Sequence, residues 1–440
     1  MVAQLSLLDL TPGARAVVEA CRRVGARPLV VGGAIRDALL GVASKDLDIE
    51  VHGVTDRALL LAALAEVGAV AEQGASFDVI AVRVDGADLD LSISDAPIDL
   101  AFSRRDFTIN AMGWDPITDE LIDPFGGQRD LARAILRHTS ASFGDDPLRV
   151  LRGVQFVGRF GFALAAETKG VCRELAPRFD ELATERVWEE WRKLARRARF
   201  WPEALDALKQ TGWLAHFPDL DATRGVKQDP IWHSEGDVFT HLGLAAGKAA
   251  EFAERDGLSD TDREVAVLAA LVHDFGKVTH TEIGERITSH GHAEAGVEPA
   301  RAFLAEIGAP RHVEARILPV VREHMAHVSM QGSPSRPAVR RLMRRLGDAS
   351  IHDWARVVDA DCAGRGASSK ASPAGAWVTI AESIGGAPAR GLLTGEHLIA
   401  RGLRPGPEFG RILGEALAAQ DDEVFADEAG AVEWFDARAR

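Results

Sequence analysis

Two segments near the start of the chain carry residue types suited to a phosphate site beside a metal. The first, residues 29–37, reads Leu-Val-Val-Gly-Gly-Ala-Ile-Arg-Asp, an apolar run followed by two glycines and a helix start. Gly32 and Gly33 leave backbone N–H groups bare, and Arg36 lies one turn further on, so this segment predicts an anion cradle. The alternative is an ordinary tight turn before a helix.

Acidic residues follow in an alternating segment, where residues 45–51 read Lys-Asp-Leu-Asp-Ile-Glu-Val. On a strand, this alternation puts Asp46, Asp48 and Glu50 on one face. Paired carboxylates are hard oxygen ligands, and beside a phosphate cradle they predict metal-assisted phosphoryl transfer. A solvated strand face is the alternative.

A third carboxylate is a candidate for the same metal face. Residues 77–84 and 88–94 read as strands joined at Asp85 and Gly86, a pair typical of a hairpin turn. The second strand alternates apolar with polar residues, which puts Asp90 on its polar face. Asp90 therefore either joins the metal site or is simply a charge on an edge strand.

Composition limits the class of protein. The chain has 440 residues, of which 46% are apolar and 27% charged, which is typical of a soluble protein with two or three domains. A formal charge of −15 argues against binding nucleic acid with the whole surface. We find no signal peptide, membrane span, disulfide framework or zinc pattern among the scattered cysteines, so we expect a cytoplasmic protein without a membrane partner.

Further segments, in order along the chain, complete the pattern. They lie at residues 103–112 (Ser-Arg-Arg-Asp-Phe-Thr-Ile-Asn-Ala-Met), 123–127, 144–156 and 185–188. With them, the chain resembles the class II tRNA nucleotidyltransferases, the CCA-adding family of the polymerase-β-like superfamily. The resemblance implies an α+β protein with a mixed-sheet nucleotidyltransferase head (1–136), a helical neck (137–225), an HD domain (226–370) and a helical tail (371–440).

The resemblance also implies roles for residues of the head. Asp46 and Asp48 would bind Mg²⁺, with Asp90 at the third acidic position. Nucleotide binding would use Gly32, Gly33, Arg36, Arg105, Asp106, Asn110, Asp145, Asp146, Arg149 and Arg152. Within that set, Asp146 and Arg149 would read the base edge in place of a template, since residues three apart share a helix face. Asp146 is otherwise a helix N-cap, with Pro147 at the first helical position.

Three departures from the family pattern leave the product open. Asp145 stands where glutamate is usual, Gln155 stands where a further arginine is usual, and the connection from Asp90 to Arg104 lacks a longer charged loop. A short connection is typical of CC-adding members. The overall resemblance nevertheless predicts that the chain adds CCA to the 3′ end of tRNA from CTP and ATP. The alternatives are CC addition only, a poly(A) polymerase, an HD phosphohydrolase with an inactive head, and a tRNA-binding protein with neither activity.

The second half of the chain carries another chemistry. The order His241, His273-Asp274 and Asp361 resembles the HD phosphohydrolases, in which such residues on separate helices bind a metal. The resemblance implies a divalent transition metal of unknown identity and a phosphoesterase activity. His292 and His324 are lesser candidates for a second metal or for substrate phosphate, and a lone helical histidine is more often a core residue.

Two basic clusters are candidates for tRNA contact, although either could be a solvated helix face. They are formed by Arg186, Arg192, Lys193, Arg196, Arg197 and Arg199, and by Arg340, Arg341, Arg344 and Arg345. The resemblance favours tRNA for the first cluster, whereas the second reads as a helix surface. The sequence does not fix the oligomeric state.

The paired carboxylates give the first prediction. Asp46→Ala or Asp48→Ala should abolish nucleotide addition while leaving the fold and tRNA affinity nearly intact, because each removes one metal ligand from a strand surface. The measurement is incorporation of labelled CTP into tRNA, with circular dichroism and tRNA binding as controls. Near-normal incorporation by either variant would refute the assignment.

Overall fold

The computed structural model describes residues 8–42, 47–73, 79–328, 332–368, 371–386 and 390–438. The protein is a mixed α+β structure, which confirms the predicted fold class. It divides into two compact units, Met1–Leu182 with Gln210–Trp213, and Ala183–Lys209 with Leu214–Arg440. The first part of the predicted neck thus groups with the head, and most of the rest groups with the HD region.

The first unit is built on a seven-stranded sheet with the order β3-β4-β5-β2-β1-β6-β7. Only the β2–β5 pair is parallel; the other neighbours are antiparallel. The strands are β1 (Arg27–Val31), β2 (Asp48–His52), β3 (Ala69–Gln73), β4 (Val79–Val84), β5 (Ala87–Ser94), β6 (Gly113–Asp115) and β7 (Glu120–Ile122). A separate parallel pair joins β8 (Ile135–Leu136) to β9 (Ala163–Leu164).

The predicted hairpin is confirmed between β4 and β5. Asp85 and Gly86 both have positive φ angles, 51° and 78°, which is the conformation that a two-residue hairpin turn of type I′ requires. The turn fixes the register, so Leu89 and Leu91 face the core and Asp90 faces outward. The sequence signal was sufficient here because the turn is local.

Helices cover the first unit outside the sheet. They are α1 (Pro12–Arg23), α2 (Gly33–Leu39), α3 (Arg57–Ala65), α4 (Ile98–Ser103), α5 (Gly127–Ala132), α6 (Arg149–Phe160) and α7 (Ala166–Leu175). Short 3-10 helices lie at Thr108–Asn110, Ala141–Asp145 and Ala176–Glu181. Helix α6 packs on the first of these, because Gly153 lets the ring of Phe107 approach to 3.0 Å of where a Cβ would stand.

The second unit is helical apart from one hairpin, β10 (Glu282–Ile283) with β11 (Ile287–Thr288). Its first helices are α8 (Thr184–Arg197), α9 (Trp201–Gln210), α10 (Pro218–Asp221), α11 (Val238–Arg255), α12 (Asp260–Val272), α13 (Lys277–His280), α14 (His292–Ala295) and α15 (Val297–Glu306). The remainder are α16 (Arg311–Glu323), α17 (Arg336–Leu346), α18 (Ile351–Gly364), α19 (Ala374–Ser383), α20 (Gly395–Ile399), α21 (Pro407–Asp421) and α22 (Glu428–Asp436). Two more 3-10 helices lie at Trp213–His216 and Gly366–Ser368.

Helix α12 lies at the centre of the HD region, against α11, α16 and α18. Every residue from Glu264 to Val272 is buried, as expected of a helix surrounded by protein on all sides. Gly364 of α18 lies close to the backbone of α11, where an added Cβ would be 3.0 Å from the Ala245 nitrogen. This close approach carries Asp361 toward His241.

The tail has a small core of its own, and arginines of α17 join it to the HD region. Its buried apolar residues are Leu393, Leu398, Ile412, Ala416, Phe425, Ala431 and Phe435. Arg344 bonds the buried Asp421 carboxylate at the end of α21, and Arg340 pairs with Glu423. The basic cluster on α17 therefore serves this helix contact. None of the helices in the described ranges is long and apolar enough to cross a membrane.

A close approach at Gly276 gives a stability prediction. A Cβ there would lie 2.0 Å from the His292 carbonyl oxygen and 2.6 Å from the Gly296 nitrogen, and backbone atoms cannot easily move. Gly276→Ala should therefore destabilise the protein by about 1–3 kcal/mol, measured by urea unfolding.

Gly414 provides the matched control, because it lies in α21 with no heavy atom within 4 Å of its added Cβ. Gly414→Ala should stabilise the protein by up to about 1 kcal/mol. Equal effects of the two substitutions would contradict the close packing at Gly276.

Candidate active sites

The predicted anion cradle lies where β1 meets α2. Gly32 has φ of 73° and ψ of −128°, a backbone conformation that a side chain would strain. An added Cβ would stand 3.1 Å from Nη1 of Arg105 and 3.9 Å from Oδ2 of Asp48. The cradle is therefore bordered by a guanidinium and a carboxylate, the combination that a nucleotide with its metal would need.

The predicted carboxylates Asp48 and Asp90 are neighbours across two parallel strands. Their Cα atoms are register partners between β2 and β5, so their side chains lie on the same face of the sheet. Both residues are exposed. Asp46 lies outside the described residues. Two of the three predicted metal ligands are thus adjacent, on the exposed side of the cradle.

Glu50 continues the same face of β2, but it is buried. Nη2 of Arg105 donates to its Oε2 over 2.6 Å, and Nε2 of His52 lies 2.9 Å from its Oε1. Burial works to raise the pKa of Glu50, but the nearby His52 and Arg105 outweigh that effect, so the pKa is lowered. The alternation in the sequence put Glu50 on this face without indicating its partner.

Asp106 connects three of the residues predicted to bind nucleotide. Its Oδ1 accepts from the Phe107 N–H over 2.7 Å and from Nδ2 of Asn110 over 2.9 Å. Its Oδ2 accepts two bonds from the Arg152 guanidinium, at 2.8 and 3.0 Å. Both oxygens of Asp106 are therefore used within the protein, where they orient Arg152 on α6 and Asn110 beside it.

Arg36 extends this network toward the cradle. Nη1 of Arg36 donates to Oδ1 of Asn110 over 2.6 Å, and its Nε donates to Asp37. The guanidinium lies over the rings of Phe156 and Phe160, at 5.3 and 5.0 Å from their centroids. Burial lowers the pKa of Arg36, and the charge of Asp37 opposes that shift. With 4% of its surface exposed, Arg36 joins α2 to α6; its phosphate contact remains a prediction.

The predicted base-reading pair lies before and at the start of α6. Arg149 donates from Nη1 to the Ser142 carbonyl and from Nη2 to the Arg104 carbonyl, each over 2.6 Å. Asp146 accepts from the Leu148 N–H over 3.2 Å, so it caps the turn before the helix. The helix itself begins at Arg149 rather than at Pro147, which corrects the expected start by two residues.

The three departures from the family pattern have different surroundings. Asp145 is exposed at the end of a 3-10 helix, whereas Gln155 is buried within α6. The connection before Arg104 is the short helix α4, and its end is held by hydroxyl groups of Thr139 and Ser140, which both donate to the Ser103 carbonyl. This connection is therefore a fixed helix at its carboxyl end.

In the second unit, the four predicted HD residues come together from two helices and the end of a third. His241 lies on α11, His273 and Asp274 follow α12, and Asp361 lies on α18; all are buried. Nε2 of His241 is 3.2 Å from Oδ1 of Asp361, and Nε2 of His273 is 3.2 Å from Oδ2 of Asp274. This geometry suits one metal ion held by nitrogen and oxygen ligands.

The second nitrogen of each imidazole decides which atom faces the cluster. Nδ1 of His241 lies 2.7 Å from a Glu235 carboxylate oxygen, and Nδ1 of His273 lies 2.8 Å from the Ala270 carbonyl. These acceptors place a proton on Nδ1, so in the neutral imidazole Nε2 carries the lone pair. Without a cation, burial works to lower the pKa of His241, but the carboxylates of Asp361 and Glu235 outweigh that effect and raise the pKa. Both Nε2 atoms are buried and find no hydrogen-bond partner in the part of the chain that the structure describes. Two orphaned lone pairs beside two carboxylates fit a bound cation.

His292 and His324 extend the cluster on the other side of Asp274. Their Nε2 atoms are 3.1 Å apart, and each Nδ1 lies against a backbone carbonyl, of Ser289 and Val321 respectively. Nε2 of His292 is 3.1 Å from Oδ1 of Asp274. Burial lowers the pKa of His324 to about 4, so its Nε2 acts as an acceptor in the contact with His292. Both residues stay candidates for a second metal site.

Three charged residues around the ligands were not predicted from the sequence. One oxygen of Glu235 accepts from both His233 and His241, and these bonds lower its pKa to about 2 although burial works in the opposite direction. Lys277 lies 2.6 Å from Oδ2 of Asp274, and Arg365 lies 2.5 Å from Oδ2 of Asp361. The signal for Glu235 was its spacing of six residues before His241.

The predicted tRNA-contact cluster on α8 is extensively paired with carboxylates. Arg196 bonds the buried Glu264 over 2.7 Å, Lys193 bonds Glu190 over 2.8 Å, and Arg199 bonds Glu254. Arg192 similarly pairs with Glu189 on the same helix. These ion pairs support the reading of a solvated helix face, and tRNA contact there remains a prediction.

Comparison with known families identifies three matched regions. They are the HD domain (residues 238–360), the poly A polymerase head domain (94–137) and the "probable RNA and SrmB-binding site of polymerase A" (161–223). The HD match contains three of the four predicted ligands and ends one residue before Asp361. The head match begins at the end of β5, after the carboxylates.

Solved structures with the same fold include the CCA-adding enzyme of Bacillus stearothermophilus in complex with CTP. That likeness has a TM-score of 0.69 and 22% identity and covers 98% of each chain. The Thermotoga maritima CCA-adding enzyme complexed with tRNA has a TM-score of 0.58 and 21% identity, over 100% of this chain and 98% of that one.

Sequence relatives extend over nearly the whole chain. The multifunctional CCA protein of Halorhodospira halophila is 35% identical over 91% of this chain and 98% of its own length. That of Xanthomonas campestris is 33% identical over 89% of this chain and 97% of its own length. The chain belongs to the multifunctional CCA protein family.

Proposed function

We propose that this protein adds C, C and A to the 3′ end of tRNA, using CTP and ATP without a nucleic-acid template. The observation that carries the proposal is the pairing of Asp48 with Asp90 across parallel strands, beside Gly32 and the Arg105 guanidinium. The chain matches multifunctional CCA proteins over nearly their full length, and its membership of their family supports the same activity. tRNA, CTP and ATP are the proposed partners.

Different residues of the head have different roles in the proposed reaction. Asp46, Asp48 and Asp90 would hold Mg²⁺, which supplies neutralising charge to the triphosphate and activates the RNA 3′-hydroxyl. Gly32 and Gly33 let the phosphates approach the backbone, and Arg105 offers its Nη1 beside them. Asp106 holds Arg152, and Asp146 with Arg149 faces the base.

The direct test is nucleotide addition by the purified protein. A tRNA that lacks its 3′ CCA is incubated with CTP, ATP or both, and the products are sequenced. We expect two C residues with CTP alone and a complete CCA with both nucleotides. Long A tails would indicate a poly(A) polymerase instead, and no extension would refute the proposal.

CC addition without the terminal A is the second candidate, because the connection between Asp90 and Arg104 is short and fixed. It contains α4, whose end is bonded by Thr139, Ser140 and Arg149. If this helix prevents the move from cytosine to adenine geometry, a family-length loop grafted between Ser94 and Phe102 should raise A addition and leave the C steps unchanged. Efficient CCA completion by the unmodified protein would reject this candidate.

Arg149 gives a prediction about base choice. Arg149→Ala should relax discrimination among the four nucleotides more than it weakens triphosphate binding, because Arg149 faces the base whereas the phosphates lie at Gly32. Arg173→Ala is the matched control, since Arg173 also donates to a backbone carbonyl, that of Gln210. The measurement is kcat/KM for each nucleotide. Equal loss for all four would reassign Arg149 to a structural role at the Ser142 and Arg104 carbonyls.

We further propose that the HD region hydrolyses phosphoesters with a divalent transition metal. His241, His273, Asp274 and Asp361 would hold the metal, and His292 with His324 would hold a second one. Imidazole nitrogens favour transition metals over Mg²⁺. When bound, the metal would supply an activated water and polarise the phosphate. The buried Lys277 and the partly exposed Arg365 bring positive charge that suits an anionic substrate.

The HD site gives a prediction with two independent measurements. His273→Ala should remove bound metal and phosphoesterase activity on cyclic and terminal phosphates, yet spare nucleotide addition. Glu235→Gln should weaken metal binding by about 10- to 100-fold, because Glu235 orients His241. His352→Ala is the control, since His352 lies half exposed on α18. Wild-type protein without metal or activity across several metals would show a degenerate site.

We place the protein in the cytoplasm, in keeping with its substrates. Cys21, Cys172 and Cys362 are all free and buried. Burial raises the pKa of the Cys21 and Cys172 thiols to about 12, so neither is set up for redox chemistry.

A further inference from the structure

We propose that Glu50 is a positioning residue for the incoming nucleotide, because its carboxylate holds the Arg105 guanidinium in place beside Gly32. The proposal deepens the proposed nucleotidyl transfer and rests on it. Glu50 does not touch the nucleotide in this scheme. It acts through Arg105, whose other nitrogen borders the cradle.

The contacts form a short chain across the site. Nη2 of Arg105 donates to Oε2 of Glu50 over 2.6 Å. Nη1 of the same guanidinium lies 3.1 Å from the position of a Cβ on Gly32, and Oδ2 of Asp48 lies 3.9 Å from that position. One edge of the guanidinium is thus fixed to Glu50, while the other edge lies at the cradle and near the predicted metal ligand.

The Arg105 guanidinium has few other restraints. It lies over the Phe102 ring at 5.3 Å from the centroid, and this contact does not determine which guanidinium nitrogen faces the cradle. Its Nε is buried without a hydrogen-bond partner among the described residues, and 24% of the side chain is exposed. The charge-assisted bond to Glu50 therefore selects the rotamer in which Nη1 faces the cradle.

Glu50 is itself held from the other side. His52 lies two residues further along the same face of β2, and its Nε2 is 2.9 Å from Oε1 of Glu50. Glu50 is buried, and its Oε1 makes no well-formed hydrogen bond among the described residues, so the contact with His52 is electrostatic and the bond from Arg105 is the main restraint on the carboxylate. Glu50 thus differs in role from Asp48 and Asp90, whose exposed carboxylates are suited to metal binding. Glu50 is a buried anchor, whereas the two aspartates are exposed.

The direction in which Glu50→Gln changes CTP affinity distinguishes a positioning role from a purely electrostatic one. If Glu50 acted only as a negative charge near the triphosphate, Glu50→Gln would strengthen CTP binding. If it positions Arg105, the neutral amide makes a weaker bond, the guanidinium samples other rotamers, and CTP binding weakens. The two roles therefore predict opposite shifts for the same isosteric substitution.

The experiment measures CTP binding by equilibrium dialysis with Mg²⁺, together with kcat/KM for CTP and KM for tRNA. Glu50→Gln should weaken CTP binding and lower kcat/KM for CTP by about tenfold, with KM for tRNA unchanged. Glu72→Gln is the matched control, because Glu72 makes a similar 2.9 Å ion pair with Arg57 on the same sheet. It should leave all three quantities unchanged.

Arg105→Lys completes a double-mutant cycle. Once the guanidinium is absent, adding Glu50→Gln should have little further effect on CTP binding. Additive losses would overturn the proposal, and so would unchanged or tighter CTP binding by Glu50→Gln. Equal losses in CTP binding, tRNA KM and thermal stability would show that Glu50 only supports the fold. If the wild-type protein bound CTP with this dependence but extended no tRNA, the proposed function would fail and the role of Glu50 would stand.

Discussion

A buried carboxylate is stable only when it is hydrogen-bonded or paired with a cation, and the nucleotide site is organised by this constraint at Asp106. Its two oxygens accept four bonds, from the Phe107 N–H, Asn110 and the Arg152 guanidinium. Asn110 in turn accepts from Arg36. These bonds connect a 3-10 helix with α2 and α6, so the elements that carry half of the predicted nucleotide residues are fixed to one another by buried charge. Such networks resist substitution because removing one member leaves another unpaired.

Buried polar groups of the HD cluster are also paired, but here the paired groups are imidazoles. Its histidines use Nδ1 for a local acceptor, a backbone carbonyl for His273 and the Glu235 carboxylate for His241. The ring orientations are thus fixed by the protein before any metal arrives, which reduces the ordering cost of binding. Gly276 and Gly364 provide the close helix contacts that bring Asp274, His292 and Asp361 within range.

The sequence predicted the parts of both sites that depend on local geometry. Strand alternation correctly put Asp90 on the polar face of its strand, and the Asp85-Gly86 turn correctly defined the hairpin that positions it, whereas its pairing with Asp48 is seen only in the structure. What the alternation did not contain was the partner of each side chain. Arg36 meets Asn110 from 74 residues away, and Arg149 meets the Arg104 carbonyl from 45 residues away. Contacts at such separations follow from packing, which a single sequence does not encode in any short pattern.

The acidic balance of the chain, with a formal charge of −15, has a consequence for tRNA binding. The basic residues on α8 and just after it do not form an open positive surface, since Lys193, Arg196 and Arg199 each already have a carboxylate partner. When an RNA phosphate contacts such a basic residue, it replaces the carboxylate as the anionic partner. The net binding free energy therefore comes from displaced counterions and from hydration of the freed carboxylate. The exposed pair of Arg199 and Glu254 exchanges at little cost, whereas Arg196 would leave Glu264 buried and unpaired. If α8 binds tRNA, its exposed end is therefore the part that can do so without disturbing the fold.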